Sequence, residues 1–158
     1  MNEVILTVLF AMAMGYVEAA VVVYLRALYY PDGFDIPMQV GFPYIRFTRI
    51  PQFEGRIPPP ILRIEVGREV ATIVMLSALA LLAGGTAVEK VAVFLLAFGV
   101  WDIFYYVFLK VLLGWPSSLR TLDVLFLIPV PWVGPVWLPL SIAVAMAVAG
   151  ASILLGAA

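Results

Sequence analysis

The chain has 158 residues, of which 65% are hydrophobic and only 12% are charged. An ordinary soluble domain carries about 45–50% apolar and about 25% charged residues, so this composition excludes a monomeric water-soluble globule. It indicates an integral membrane protein with several spans. The net charge of -1 is not the basic surplus that nucleic acid attracts, and we expect no nucleic-acid partner.

Two residue types are missing altogether, cysteine and histidine. Their absence excludes disulfides, thiolate zinc sites, iron–sulfur clusters and haem held by histidine. We therefore predict no such cofactor. The composition still allows binding of a hard cation with oxygen ligands, such as Mg²⁺, Ca²⁺ or Mn²⁺.

Four apolar runs are each near the length of about 20 residues that crosses the hydrocarbon of a bilayer. The chain is then a single membrane domain over 1–158, with an all-α fold. The predicted spans are residues 4–28, 61–88, 91–113 and 137–155. Glu3 precedes the first run, which is too long for a signal peptide, so we expect it to stay as a helix.

The connection over 30–62 holds seven prolines. It is either a flap on the membrane surface or a lid over a site between the helices.

The segment 117–136 is harder to place. Ser117 or Ser118 could cap a short helix running to Leu127, but four prolines and a glycine follow between residues 129 and 139. We predict a re-entrant or interfacial half-helix before the last span. The alternative is a fifth, broken span.

Basic residues orient the bundle. With four spans, eight of them lie on or beside the two long connections, and only Lys90 lies on the other side. The positive-inside rule then places both connections in the cytoplasm and both termini outside. The eight are Arg26, Arg46, Arg49, Arg56, Arg63, Arg68, Lys110 and Arg120.

Acidic residues within the spans are the functional candidates, because a charge in hydrocarbon is costly and is normally turned inward. Glu18, Glu69 and Asp102 lie in three different spans, and Asp123 lies in the predicted half-helix. Asp102, Tyr106 and Lys110 are spaced by four and form one helical stripe. We predict an acidic pocket open toward the long connections, and its residues are Glu18, Glu69, Asp102, Tyr106, Arg68, Lys110 and Asp123.

Such a pocket favours binding or passage of a small cationic or polar ligand: a metal ion, a proton, an amine or a lipid headgroup. Glu18, Glu69 and Asp102 are the candidate metal ligands, and no catalytic residue is assigned. Alternatively the acids only join helices, and the chain is a structural subunit docked through small residues such as Ala143, Ala147 and Ala151. A lipid-acting enzyme is the third reading. The expected partners are the bilayer and further copies or other membrane subunits.

Residues 98–106, with Gly114-Trp115-Pro116 and residues 126–132, resemble a family of small multi-pass membrane proteins of prokaryotes. The resemblance covers roughly the second half of the chain. It implies the cytoplasmic membrane of a prokaryote. The family has no assigned activity, so the resemblance lends no catalytic residue.

Overall fold

The structure is a computed structural model that describes residues 2–36, 44–47 and 56–156. Within these ranges four helices are long and apolar enough to cross a membrane. They are α1 (Asn2–Tyr29), α2 (Pro59–Ala83), α3 (Ala87–Leu113) and α4 (Trp137–Gly156). The predicted helix bundle of four spans is confirmed, and the described residues contain no fifth helix of spanning length.

The turn between α2 and α3 lies earlier in the chain than predicted. Thr86 Oγ1 accepts from the Glu89 amide at 3.2 Å, and Glu89 Oε2 accepts from the Thr86 amide at 3.0 Å. This reciprocal capping box begins α3 at Ala87. Glu89 and Lys90, which we expected to form the turn, therefore belong to the first turns of α3.

The predicted half-helix is wrong, because the segment 117–136 forms a β-hairpin. Strand β2 (Leu122–Phe126) pairs antiparallel with β3 (Trp132–Pro135). A two-residue strand from the long connection, β1 (Arg46–Phe47), pairs with the other edge of β3. The rest of that connection, at 37–43 and 48–55, lies outside the described residues, and with it lies Arg49.

The hairpin runs deep alongside α3. Asp123 accepts a hydrogen bond from Tyr106, and the Phe126 ring stacks on Phe98 with 6.4 Å between centroids. Phe98 lies two helical turns, about 12 Å, farther from the C-terminal end of α3 than Tyr106 does. From Asp123 to Phe126 the strand advances about 10 Å, so it runs alongside the helix. The hairpin therefore packs along the side of α3 over about two helical turns.

Backbone-to-backbone packing holds α4 against α3. A Cβ added at Gly99 would lie 2.3 Å from the Ala143 carbonyl oxygen, and one added at Gly150 would lie 2.5 Å from the Ala92 carbonyl oxygen. Both approaches need glycine. Small residues permit such close packing where lipid removes the usual hydrophobic drive.

The small-residue faces predicted from the sequence are used inside the bundle. Ala143 is 1% exposed, and Ala147 and Ala151 pack against the buried core. On α1, Ala11 and Ala19 are fully buried. The face of α4 that we considered for docking a partner is therefore turned toward α3.

We expect Gly99→Ala to lower the stability of the bundle by about 1–3 kcal/mol, the usual cost of overpacking. Gly67→Ala is the matched control, since Gly67 is a helical glycine with nothing within 4 Å of an added Cβ. It should gain up to about 1 kcal/mol from helix propensity. Thermal unfolding of both variants in detergent measures the difference, and equal midpoints would contradict the packing of α3 on α4.

Candidate functional site

A cavity of about 340 Å³ lies between the helices and the hairpin, and all four helices contribute to its wall. Six of the seven predicted pocket residues line it: Glu18, Arg68, Glu69, Asp102, Tyr106 and Asp123. Sequence reasoning missed several further polar members of the wall: Arg26, Glu65, Thr72 and Tyr105.

Arg68 joins α1 to α2 at one side of the cavity. Its guanidinium forms an ion pair with Glu18, and its Nε and Nη2 donate to Glu65 Oε2 at 2.9 and 2.8 Å. Thr72 Oγ1 lies 3.3 Å from Glu18 Oε2 and completes the group. One arginine thus pairs with two carboxylates and holds two helices together.

Glu69 anchors the tip of the hairpin. Its carboxylate accepts from the Leu127 amide at 2.8 and 3.1 Å and from the Ile128 amide at 3.1 Å. Irregular backbone is tolerated at membrane depth only where its polar groups find partners. Glu69 supplies that partner, so its side chain is already engaged by the protein.

Asp123 lies in the same wall and is 3% exposed. It accepts from the Tyr106 hydroxyl at 3.0 Å, and Arg26 Nη2 lies 3.8 Å from its other oxygen. Burial raises the pKa of Asp123, while Arg26 and the hydrogen bond from Tyr106 oppose that shift. In the sequence, Arg26 indicates only the orientation of the bundle, because it lies in the last turn of α1.

Arg26 is also fixed by aromatic rings. Its guanidinium carbon lies 3.8 Å from the centroid of Trp115 and 4.7 Å from that of Phe34. This stacking leaves the guanidinium directed at Asp123 and adds a cation–π attraction of about 0.5–2 kcal/mol per ring.

Asp102 differs from every other carboxylate in the wall. In the part of the chain that the structure describes, its carboxylate makes no hydrogen bond and no ion pair, and neither does the neighbouring Tyr105 hydroxyl. Both residues line the cavity. A half-buried carboxylate without a partner is unusual in a membrane bundle, where buried charges are normally paired.

Two indole groups in the wall are likewise unsatisfied. The Nε1 atoms of Trp101 and Trp132 are buried and have no acceptor among the described residues. Most buried donors in proteins have a partner, and exceptions concentrate at functional sites. Trp101 lies in the middle of α3 and not near a helix end, where tryptophan is usual in membrane spans.

The rest of the wall is aromatic and aliphatic. Eight aromatic side chains line it: Tyr30, Phe34, Phe98, Trp101, Tyr105, Tyr106, Phe126 and Trp132. At Tyr30, beyond the end of α1, burial raises the pKa of the phenol, and Arg56 opposes that shift.

Lys110 is not part of the cavity wall, contrary to the prediction. Its Nζ donates to the carbonyl oxygens of Gly114 at 3.0 Å and Pro116 at 2.9 Å. Both carbonyls lie just beyond Leu113, the last residue of α3, so Lys110 ties the end of the helix to the segment that follows it. The stripe through Asp102 and Tyr106 therefore leaves the cavity before it reaches Lys110.

A metal site is not assembled from the predicted ligands Glu18, Glu69 and Asp102. Glu18 is paired with Arg68, and Glu69 accepts from backbone amides. Within the described ranges no group of three or more acidic side chains is placed to hold one metal ion.

Comparison with models of protein families, with curated proteins and with solved structures found no match. The family resemblance of the second half of the chain stays an expectation. The chemistry of the cavity is therefore the basis for a functional proposal.

Replacing Glu69 tests the anchoring of the hairpin. Glu69→Leu leaves two partly buried amides without an acceptor, and we expect a loss of about 2–5 kcal/mol in stability. Hydrogen exchange at Leu127 and Ile128 should become faster. Glu65→Gln, one turn away on the same helix, should leave exchange at these two amides unchanged. Slow exchange in Glu69→Leu would show that another group holds the hairpin.

Proposed function

We propose that the chain is an integral membrane protein whose cavity binds a small organic cation, an amine or quaternary ammonium with an apolar body. The observation that carries this proposal is the unpartnered Asp102 carboxylate in the cavity wall. It is the one charged group of the wall that the described residues leave available to a ligand.

The charge balance of the wall supports a ligand with positive charge. Five carboxylates face two guanidinium groups there. Arg68 is shared by Glu18 and Glu65, and Arg26 is committed to Asp123. The surplus negative charge is an attraction for a cation in a site of low dielectric constant.

The aromatic wall supports an organic cation over an inorganic one. Rings attract a cation through their faces, and recognition of quaternary ammonium groups commonly uses several aromatic side chains. A hard divalent ion needs about six oxygen ligands, which a single free carboxylate does not provide. The volume of about 340 Å³ is at the lower end for ligand pockets, so the ligand is small.

Binding of benzyltrimethylammonium tests this proposal. We expect titration calorimetry in detergent to detect binding, and Asp102→Asn to weaken it tenfold or more, since about 1.4 kcal/mol corresponds to a factor of ten. Met146→Leu, a neutral change in the same wall, should retain binding. Choline should bind better than its uncharged isostere 3,3-dimethylbutan-1-ol.

If cations bind, two results would still contradict the proposal. One is equal affinity for choline and its isostere, which would mean that charge is not recognised. The other is full affinity in Asp102→Asn. If no cation binds and Asp102→Asn only stabilises the protein, the acids serve to join helices, as expected of a structural subunit.

We also propose the cytoplasmic membrane as its location, with the long connection and the hairpin entering from the cytoplasmic side. The chain has no cysteine, so introduced cysteines are unique labels. Asp32→Cys and Leu119→Cys should be labelled from the cytoplasm and Ala87→Cys from outside, in inverted and intact vesicles respectively. Labelling of all three from one side would refute this topology.

A further inference from the structure

We infer that a proton and the ligand cation compete for Asp102, so that the cavity exchanges one for the other. This inference rests on the proposed function and adds that binding of the cation is coupled to release of a proton. The geometric basis is a lone carboxylate in an aromatic cavity whose two arginines are both committed elsewhere.

The empty cavity cannot easily hold an ionised Asp102. An isolated carboxylate in apolar surroundings is so costly that the group takes up a proton instead. Elsewhere in the wall this cost is avoided by pairing, as for Glu18 with Arg68. Asp102 has no such partner among the described residues, so the acid is neutral until a cation enters.

Within the described ranges, no neighbouring element supplies a free counter-charge. α1 contributes Glu18 and Arg26, α2 contributes Glu65, Arg68 and Glu69, α3 contributes Tyr105 and Tyr106, and β2 contributes Asp123, with Tyr30 just beyond α1. The sequence of α4 contains no titratable residue. The carboxylates among these groups add negative charge, which further favours the protonated acid at Asp102.

The geometry also fixes both arginines away from Asp102. Arg68 bridges the α1 and α2 carboxylates, and Arg26 is stacked on Trp115 while it faces Asp123. To neutralise Asp102 from within, one of them would have to abandon a buried partner. Removing one partner of a buried ion pair is costly, so an entering ligand is the cheaper source of positive charge.

The exchange step is a simple proton transfer. The O–H bond of the Asp102 carboxylic acid breaks, and the proton passes to water and leaves for bulk solvent. The carboxylate keeps the electron pair and faces the cation. One positive charge enters and one leaves, so the net charge of the site is unchanged and no redox partner is needed.

Benzyltrimethylammonium is a suitable probe because it has no N–H, so any proton released on binding comes from the protein. Calorimetric titrations in phosphate and in Tris at one pH give the number of protons released from the difference in heat. We expect about one proton per ligand on the acidic side, and an affinity that rises up to about tenfold per pH unit there.

Asp102→Asn should lose both the proton release and the pH dependence, even at ligand concentrations that restore occupancy. Glu3→Gln is the matched control, since Glu3 is an exposed acid in the first turn of α1, away from the cavity. Its proton release and the pH dependence of its affinity should equal those of the unchanged protein.

Binding with equal heats in both buffers and a constant affinity overturns the exchange and leaves the proposed function standing. Proton release that persists in Asp102→Asn also overturns it, because the proton then comes from another group. Absence of binding at every pH overturns the proposed function and the exchange together.

Discussion

Backbone amides between membrane helices need acceptors, because hydrocarbon offers none. At the tip of the hairpin few acceptors are needed, because Pro129 and Pro131 have no N–H. Glu69 accepts from the amides of Leu127 and Ile128, which precede Pro129. Non-helical chain can therefore lie at bundle depth, and it supplies one wall of the cavity, including Asp123 and Phe126. The cavity depends on this single carboxylate on α2.

The charged side chains of the wall also need partners inside the bundle. Each arginine of the wall is used for architecture: Arg68 joins α1 to α2, and Arg26 ties the end of α1 to the hairpin through Asp123. Because these pairs consume the positive charge, Asp102 on α3 has no charged partner in the part of the chain that the structure describes. The arrangement separates a structural set of acids from one acid available for chemistry, and both the proposed cation binding and the proton exchange follow from that separation.

The spans were predictable because length and hydropathy alone decide them, and the acids of the cavity were predictable because a charge in lipid must turn inward. The hairpin was not, since five residues of β2 carry no clear period and their partners are distant: Glu69 lies 58 residues before Leu127. Arg26 was not predicted as a residue of the cavity wall, because a basic residue at a helix end is already explained by the topology of the bundle. Lys110 was misplaced because helical spacing does not reveal that this lysine donates to carbonyls just beyond the end of α3.

The central claim is that Asp102 is a neutral acid in the empty cavity and an ionised one beside a bound cation. Infrared difference spectroscopy, with benzyltrimethylammonium washed over the protein in lipid, observes this directly. The predicted difference spectrum shows loss of one protonated carboxyl band and gain of one carboxylate band, both absent in Asp102→Asn. Ligand binding without these bands, or with the same bands in the variant, would contradict the claim.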